Sequence, residues 1–233
     1  SNASRGLGDV YKRQGLGNQF LANISEVDAI CHVIRCFDDN DITHVNNKID
    51  PINDIEIIET ELMLADLESL NKRQSSIEKK AKSGDKEAKL ILEVIFQIIA
   101  KLENGIPIRE LDFSKETSAV VKQLNLLTSK PVLFVANVDE NSSVKGNNYS
   151  DKLTQLGISK GIKTITMSAK LESEISEISD KEERKEFLTA LNLIESGLEK
   201  LTIAGFDLLE LITYVTAGPK EVRAWTIKKG TIA

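Results

Sequence analysis

The sequence predicts an α/β fold in which a helical hairpin interrupts a parallel sheet. Three observations carry that expectation. Apolar, β-favouring runs at 28–37, 131–140 and 163–167 are separated by helical patterns rather than by tight turns, which is what parallel pairing requires. Between the first two runs, apolar residues keep three-and-four spacing through two successive segments. Polar clusters stand at the ends of the second and third runs, where parallel sheets bind their ligands.

The 233 residues, 41% of them apolar, suffice for one large domain or two modest ones with a buried core. The longest apolar runs fall far short of the roughly 20 residues that span a bilayer, and no charged-then-apolar start resembles a signal peptide. The expectation is a cytoplasmic protein without a membrane role. A net charge of −6 excludes strong whole-surface attraction to nucleic acid, so any RNA contact must be local. Cys31 and Cys36 lie five apart on the first strand and point to opposite faces, which disfavours a bridge; both read as buried free thiols. Only His32 and His44 lie near them, too few ligands for zinc, and no metal site is expected.

Along the chain, residues 1–14 (SNASRGLGDVYKRQ) lack apolar periodicity linking them to the segment from Gly15 onward and read as a tag and non-native flank. Gly15 and Gly17 open a glycine loop feeding a helix through Phe20, Leu21 and Ile24. The run DAICHVIRCF, 28–37, reads as a strand buried on both faces, with His32 a hydrogen-bonded core residue. Residues 41–54 read as a surface loop in which Pro51 can start the next helix.

Ile55, Ile58, Leu62, Ala65 and Leu70 begin a long helix that breaks at Ser83-Gly84-Asp85. A second runs through Leu90 to Leu102 and ends at Asn104-Gly105. The two make an antiparallel hairpin whose lysine-rich tip, around Lys79, Lys80 and Lys82, reads as solvated surface. A short helix at 115–127 precedes the strand PVLFVANVDE. A helix, the strand KTITM and a further helix come next. Tyr214 and Trp225 read as packing of a small terminal sheet.

Asn137 to Glu140 after one strand, and Ser168-Ala169-Lys170 after the next, have the order in which nucleotide-binding GTPases read a purine base. By themselves the residues also suit a simpler reading, with Asn137 capping the turn and Glu140 solvated. The stretches GLGNQFLANISEVDAICHVIRCFDDNDITHVNNKIDPINDIEIIETELMLADLE, PVLFVANVDE and LNLIESGLEKLTIAGFDLLELITYVTAGPKEVRAWTI closely resemble the YchF/Obg-like ATPase family of P-loop proteins.

That resemblance implies a partial Ras-like P-loop NTPase parallel sheet (15–55 and 128–209), the inserted α-helical hairpin (56–127) and the start of a β-rich TGS domain (210–233). It implies ATP or GTP with Mg as cofactors of the parent and a ribosome or RNA partner. Gly15 and Gly17 fall in the switch II region. Asn137, Val138 and Glu140 match the base-reading motif, with Glu140 where GTP-specific relatives carry Asp. The longer acid displaces the carboxylate from the guanine edge and relaxes guanine specificity. Ser168, Ala169 and Lys170 match the element whose backbone amides line the purine. His44 matches a histidine thought to orient the attacking water; without the resemblance it reads as a loop histidine.

No GxxxxGK[ST] occurs in the chain, so the expectation is a fragment that neither binds nucleotide tightly nor hydrolyses it. A competing expectation is a non-catalytic RNA- or ribosome-binding module formed by the hairpin and the TGS segment. A sheet missing its first strands would also expose an edge, inviting self-association.

Overall fold

The computed structural model describes residue 17 and residues 19–39, 49–219 and 221–231. The chain divides into two compact units, residues 1–28 with 56–130 and residues 29–55 with 131–233.

The first unit is helical. Helix α1 (Pro51–Lys82) contributes to it from Glu56 onward, followed by α2 (Lys86–Glu103) and α3 (Lys115–Leu124). The break between α1 and α2 has a local cause: Gly84 takes φ +98°, which a side chain disfavours, and the Asp85 carboxylate then accepts the Ala88 amide at 3.1 Å to start α2. Val94, Ile95, Ile98 and Leu102 of α2 pack with Leu70 of α1 and with Val120, Val121 and Leu124 of α3. The i, i+4 spacing of these residues puts one apolar face toward the core.

A buried carboxylate fixes the exit from this unit. Asp66, 2% exposed, accepts the Leu127 amide at 2.7 Å and both the amide and the hydroxyl of Thr128, at 2.8 and 2.7 Å. Lys130 Nζ then donates to the Ser25 and Val27 carbonyls at 3.1 and 2.6 Å. The helix expected at 115–127 is thus shorter than its pattern. Asn125 turns left-handed at φ 47°, and the Leu127–Ser129 3₁₀ turn is held by Asp66.

The second unit is α/β. Strands β1 (Ile30–Arg35), β2 (Val132–Asn137) and β3 (Thr164–Met167) form a parallel sheet in the order β1-β2-β3. Four helices accompany it: α4 (Asn148–Lys160), α5 (Ala169–Glu177), α6 (Lys181–Ala190) and α7 (Gly197–Leu208). The central strand has both faces covered, and its side chains alternate between two cores. Val132, Phe134 and Ala136 pack with Ile34, Ile55 and Leu153, whereas Leu133 packs with Ile165 and Ala204. Gly157 is required by close approach, because a Cβ there would stand 2.6 Å from the Ile162 carbonyl oxygen. An antiparallel hairpin, β4 (Leu211–Ala217) with β5 (Val222–Lys228), ends the unit and pairs Tyr214 with Trp225.

Several expectations are corrected. The first strand is not buried on both faces: β1 pairs on one side only among the described residues, and Cys31 and Val33 are exposed, Val33 by 58%. An edge strand with one covered face alternates, and Ile34 takes the covered side. Of the two free thiols only Cys36 is buried. Residues 51–54, read with the surface loop, belong to helix α1, which starts at Pro51 as its sequence allowed, since a proline at the first turn forfeits an amide that has no helical partner. Gly17 has helical rather than loop backbone; Gly15 lies outside the described residues. Tyr214 and Trp225 do pair across the small terminal sheet, each remaining 43% exposed. No described helix is long and apolar enough to cross a membrane.

Two expected outcomes test this fold. Burial holds the Asp66 carboxyl above its ordinary range, against the three hydrogen bonds that favour its charge. The folded chain therefore binds this proton more tightly than the unfolded chain. The associated stability is complete below the unfolded-state value and declines as pH rises through the folded one. Asp66→Asn, which turns an amide toward three donors, should cost about 1–3 kcal/mol in urea unfolding at neutral pH and remove this pH dependence. Burial, with a smaller contribution from Asp54, pushes the Cys36 thiol up to about 12, so alkylation of the native protein should modify Cys31 first and Cys36 only on unfolding.

Candidate functional site

The register of the sheet brings three strand ends together. Arg35 of β1 pairs with Asn137 of β2, and Asn137 with Met167 of β3. Polar side chains following these residues therefore emerge at the same carboxyl edge, the usual ligand edge of a parallel sheet. The backbone continues the ladder one step further, with the Val138 amide donating to the Met167 carbonyl at 3.0 Å.

The segments after β2 and β3 are joined by side chains. Asn137 Oδ1 accepts the Ala169 amide at 2.9 Å. Glu140 forms an ion pair with Lys170. The hydrogen bond from Lys170 holds the Glu140 carboxyl below the usual carboxylate range, and the same contact raises the lysine. Both side chains remain open to solvent, 37% and 70% exposed, so the pair orients the carboxylate more than it stabilises the fold.

Each residue is held locally. Asp139 caps the turn that carries Glu140, accepting the Ser142 amide at 3.1 Å and its hydroxyl at 2.7 Å. Ser168, 2% exposed, caps α5, its hydroxyl accepting the Leu171 amide at 3.5 Å. Val138 is buried beneath the loop, also 2% exposed. On the β1 side the Arg35 guanidinium lies 5.0 Å from the centroid of the Phe37 ring and donates to the Phe37 and Asp39 carbonyls, both at 3.1 Å. Asn147 Nδ2 donates to the Cys36 carbonyl at 2.7 Å.

The structure thus gathers Asn137, Val138, Glu140, Ser168, Ala169 and Lys170 into one cluster. Gly17, exposed on its helical stretch, is not bonded to it; Gly15 and His44 lie outside the described residues. His32 is half-buried, its ring edge-on to Phe134 at 6.2 Å. Sequence reasoning missed the Glu140–Lys170 pair and the roles of Asp139 and Arg35; an acid and a lysine thirty residues apart give no local signal of contact. Among the described residues no group of three or more His, Cys, Asp or Glu could hold a metal ion. Asn137→Ala should uncouple the two segments and cost about 1 kcal/mol in denaturant unfolding, with the Ala169 amide losing protection from hydrogen exchange.

No family model matches the chain. It is 48% identical over 221 residues to the ribosome-binding ATPase YchF of Bacillus subtilis, covering 94% of this chain and 60% of that protein. The Haemophilus influenzae protein of the same description is 48% identical over 222 residues, covering 95% and 61%. That of Escherichia coli O157:H7 is 46% identical over the same number of residues, with the same coverage. The chain spans about three-fifths of the length of these relatives. Among solved structures, that of the Schizosaccharomyces pombe YchF GTPase matches with a TM-score of 0.82 at 35% identity, covering 93% of this chain and 59% of that one.

Proposed function

Since the chain belongs to the YchF family, we propose that it carries the base-reading end of a purine-nucleotide site in a nucleotide-hydrolysing, ribosome-associated protein. The observation that supports this most directly is the joining of two strand-end segments, Asn137 to Ala169 and Glu140 to Lys170, at one carboxyl edge of the sheet.

In this reading the remaining lone pair of Asn137 and the Asn137–Glu140 loop face the edge of the base, and the Ser168-Ala169 backbone bounds its rim. Glu140 sets the preference. A carboxylate one methylene longer than Asp, and drawn toward Lys170, no longer meets the paired donors of guanine. Adenine, which presents an acceptor where guanine presents a donor, is then tolerated, and ATP is preferred to GTP. When bound, Mg-nucleotide supplies the phosphoryl group to be transferred.

The sequence contains no P-loop motif, and phosphate and metal contacts supply most of the transition-state stabilisation in phosphoryl transfer. The chain by itself therefore holds nucleotide weakly and does not turn it over. The water-orienting role of His44 rests on the family resemblance, and His44→Ala in a longer relative should slow hydrolysis without weakening nucleotide binding.

The test is titration with fluorescent ATP and GTP analogues in magnesium, using this chain and the same chain carrying a P-loop segment from a relative. Tight binding by the extended protein alone, favouring ATP, is expected, and Glu140→Asp should move its ratio of affinities toward GTP. An unchanged ratio removes the specificity role of Glu140, and Mg-dependent ATP turnover by the unextended chain overturns the reading.

A further inference from the structure

The length of Glu140 does not by itself decide where its carboxylate points. Glutamate has one more rotatable bond than aspartate, so the extra methylene leaves the carboxylate free to fold back toward the loop that carries it. A partner must select the rotamer that turns away. Lys170 is the second residue of α5, and the backbone on either side of it is held. The Ala169 amide is bonded to Asn137 Oδ1 at 2.9 Å. Leu171, 4% exposed, is buried with Ile175 and Leu188. The ammonium therefore reaches out from a fixed origin.

Four acids stand around that ammonium, and the structure separates them. Asp139 is committed to the amide and hydroxyl of Ser142. Glu174 lies one turn along α5 with the lysine on its N-terminal side, the weaker order for a helical pair. Asp39 follows β1. Glu140 raises the lysine most, with smaller contributions from Glu174 and Asp39, and it is Glu140 that forms the ion pair. In return, the hydrogen bond from Lys170 is the largest influence on the Glu140 carboxyl.

We propose, resting on the nucleotide reading above, that Lys170 is a positioning residue for purine selectivity, holding the Glu140 carboxylate off the base edge so that adenine is preferred while the pair is closed. The longer acid is then insufficient without the ammonium. Both partners are open to solvent, so the pair is weakened by salt and shifts an equilibrium by no more than about fivefold. Ionic strength becomes a control on the site: discrimination between the two purines falls as salt rises.

The test titrates AMP and GMP, which differ only in the base, into the chain as it stands, followed by amide NMR shifts around Asn137 and Ala169. The proteins compared are the unaltered chain, Lys170→Met, Lys170→Arg, Glu140→Gln, and the Lys170→Met/Glu140→Gln double variant; amides distant from the site check that each folds. The ratio of AMP to GMP affinity should fall about threefold in Lys170→Met and be kept by Lys170→Arg. It should also decline in the unaltered chain between about 0.05 and 0.5 M salt. Once Glu140 is glutamine, Lys170→Met should make no further difference. Side-chain carbon shifts should show the Glu140 carboxyl titrating higher in Lys170→Met than in the unaltered chain. An AMP preference that Lys170→Met leaves intact overturns the positioning role and spares the nucleotide reading, whereas no shift with either nucleotide overturns both. A Glu140 carboxyl that titrates alike with and without Lys170 overturns the positioning role whatever the nucleotides do. So does an effect of Lys170→Met that persists beside Glu140→Gln, which puts the lysine on the base itself.

Discussion

Everything at the carboxyl edge of the sheet depends on the burial of β2. Its side chains alternate between two cores, Val132, Phe134 and Ala136 into one and Leu133 into the other. A shift of one residue would exchange those faces, so the register against β1 and β3 is fixed by packing on both sides. Because the register is fixed, Arg35, Asn137 and Met167 end their strands level with one another. The Asn137–Ala169 and Glu140–Lys170 contacts then need only short connections.

Around that frame, the chain repeatedly satisfies buried polar groups with charged side chains placed by helices. Asp66 caps a turn across the helical unit. Glu172, 7% exposed, accepts the Gly197 and Leu198 amides at 2.6 and 3.1 Å at the start of α7. Gly197 permits this approach, since a Cβ there would stand 2.5 Å from the Met167 Cβ. Such groups are costly to remove because each deletion strands several buried donors at once. They position loops and turn nothing over. The candidate chemistry is confined to the strand ends, where Glu140 and Lys170 stay open to solvent.

The family relationship and the geometry bear on different parts of the functional reading. Similarity to YchF proteins covers nearly the whole chain and carries the fold. The geometry adds that the acid of the loop after β2 is paired with the lysine of the segment after β3.

Periodicity and turn chemistry by themselves determined the α/β class, the helical hairpin with its break at Gly84-Asp85, and the polar clusters after β2 and β3. These are local properties: side-chain period, glycine at positive φ and capping residues act within a few positions. Only the tertiary structure decided what depends on neighbours distant in sequence. Whether a strand is central or at an edge is invisible in its composition, so DAICHVIRCF read as doubly buried while Cys31 and Val33 lie exposed. The shortened helix after Lys115 stems from a carboxylate on α1, and the Glu140–Lys170 pair from the parallel register of two strands. In each case the deciding contact spans residues that no local pattern connects, and burial, which is a property of the packed whole, selects among conformations that the local sequence leaves equal.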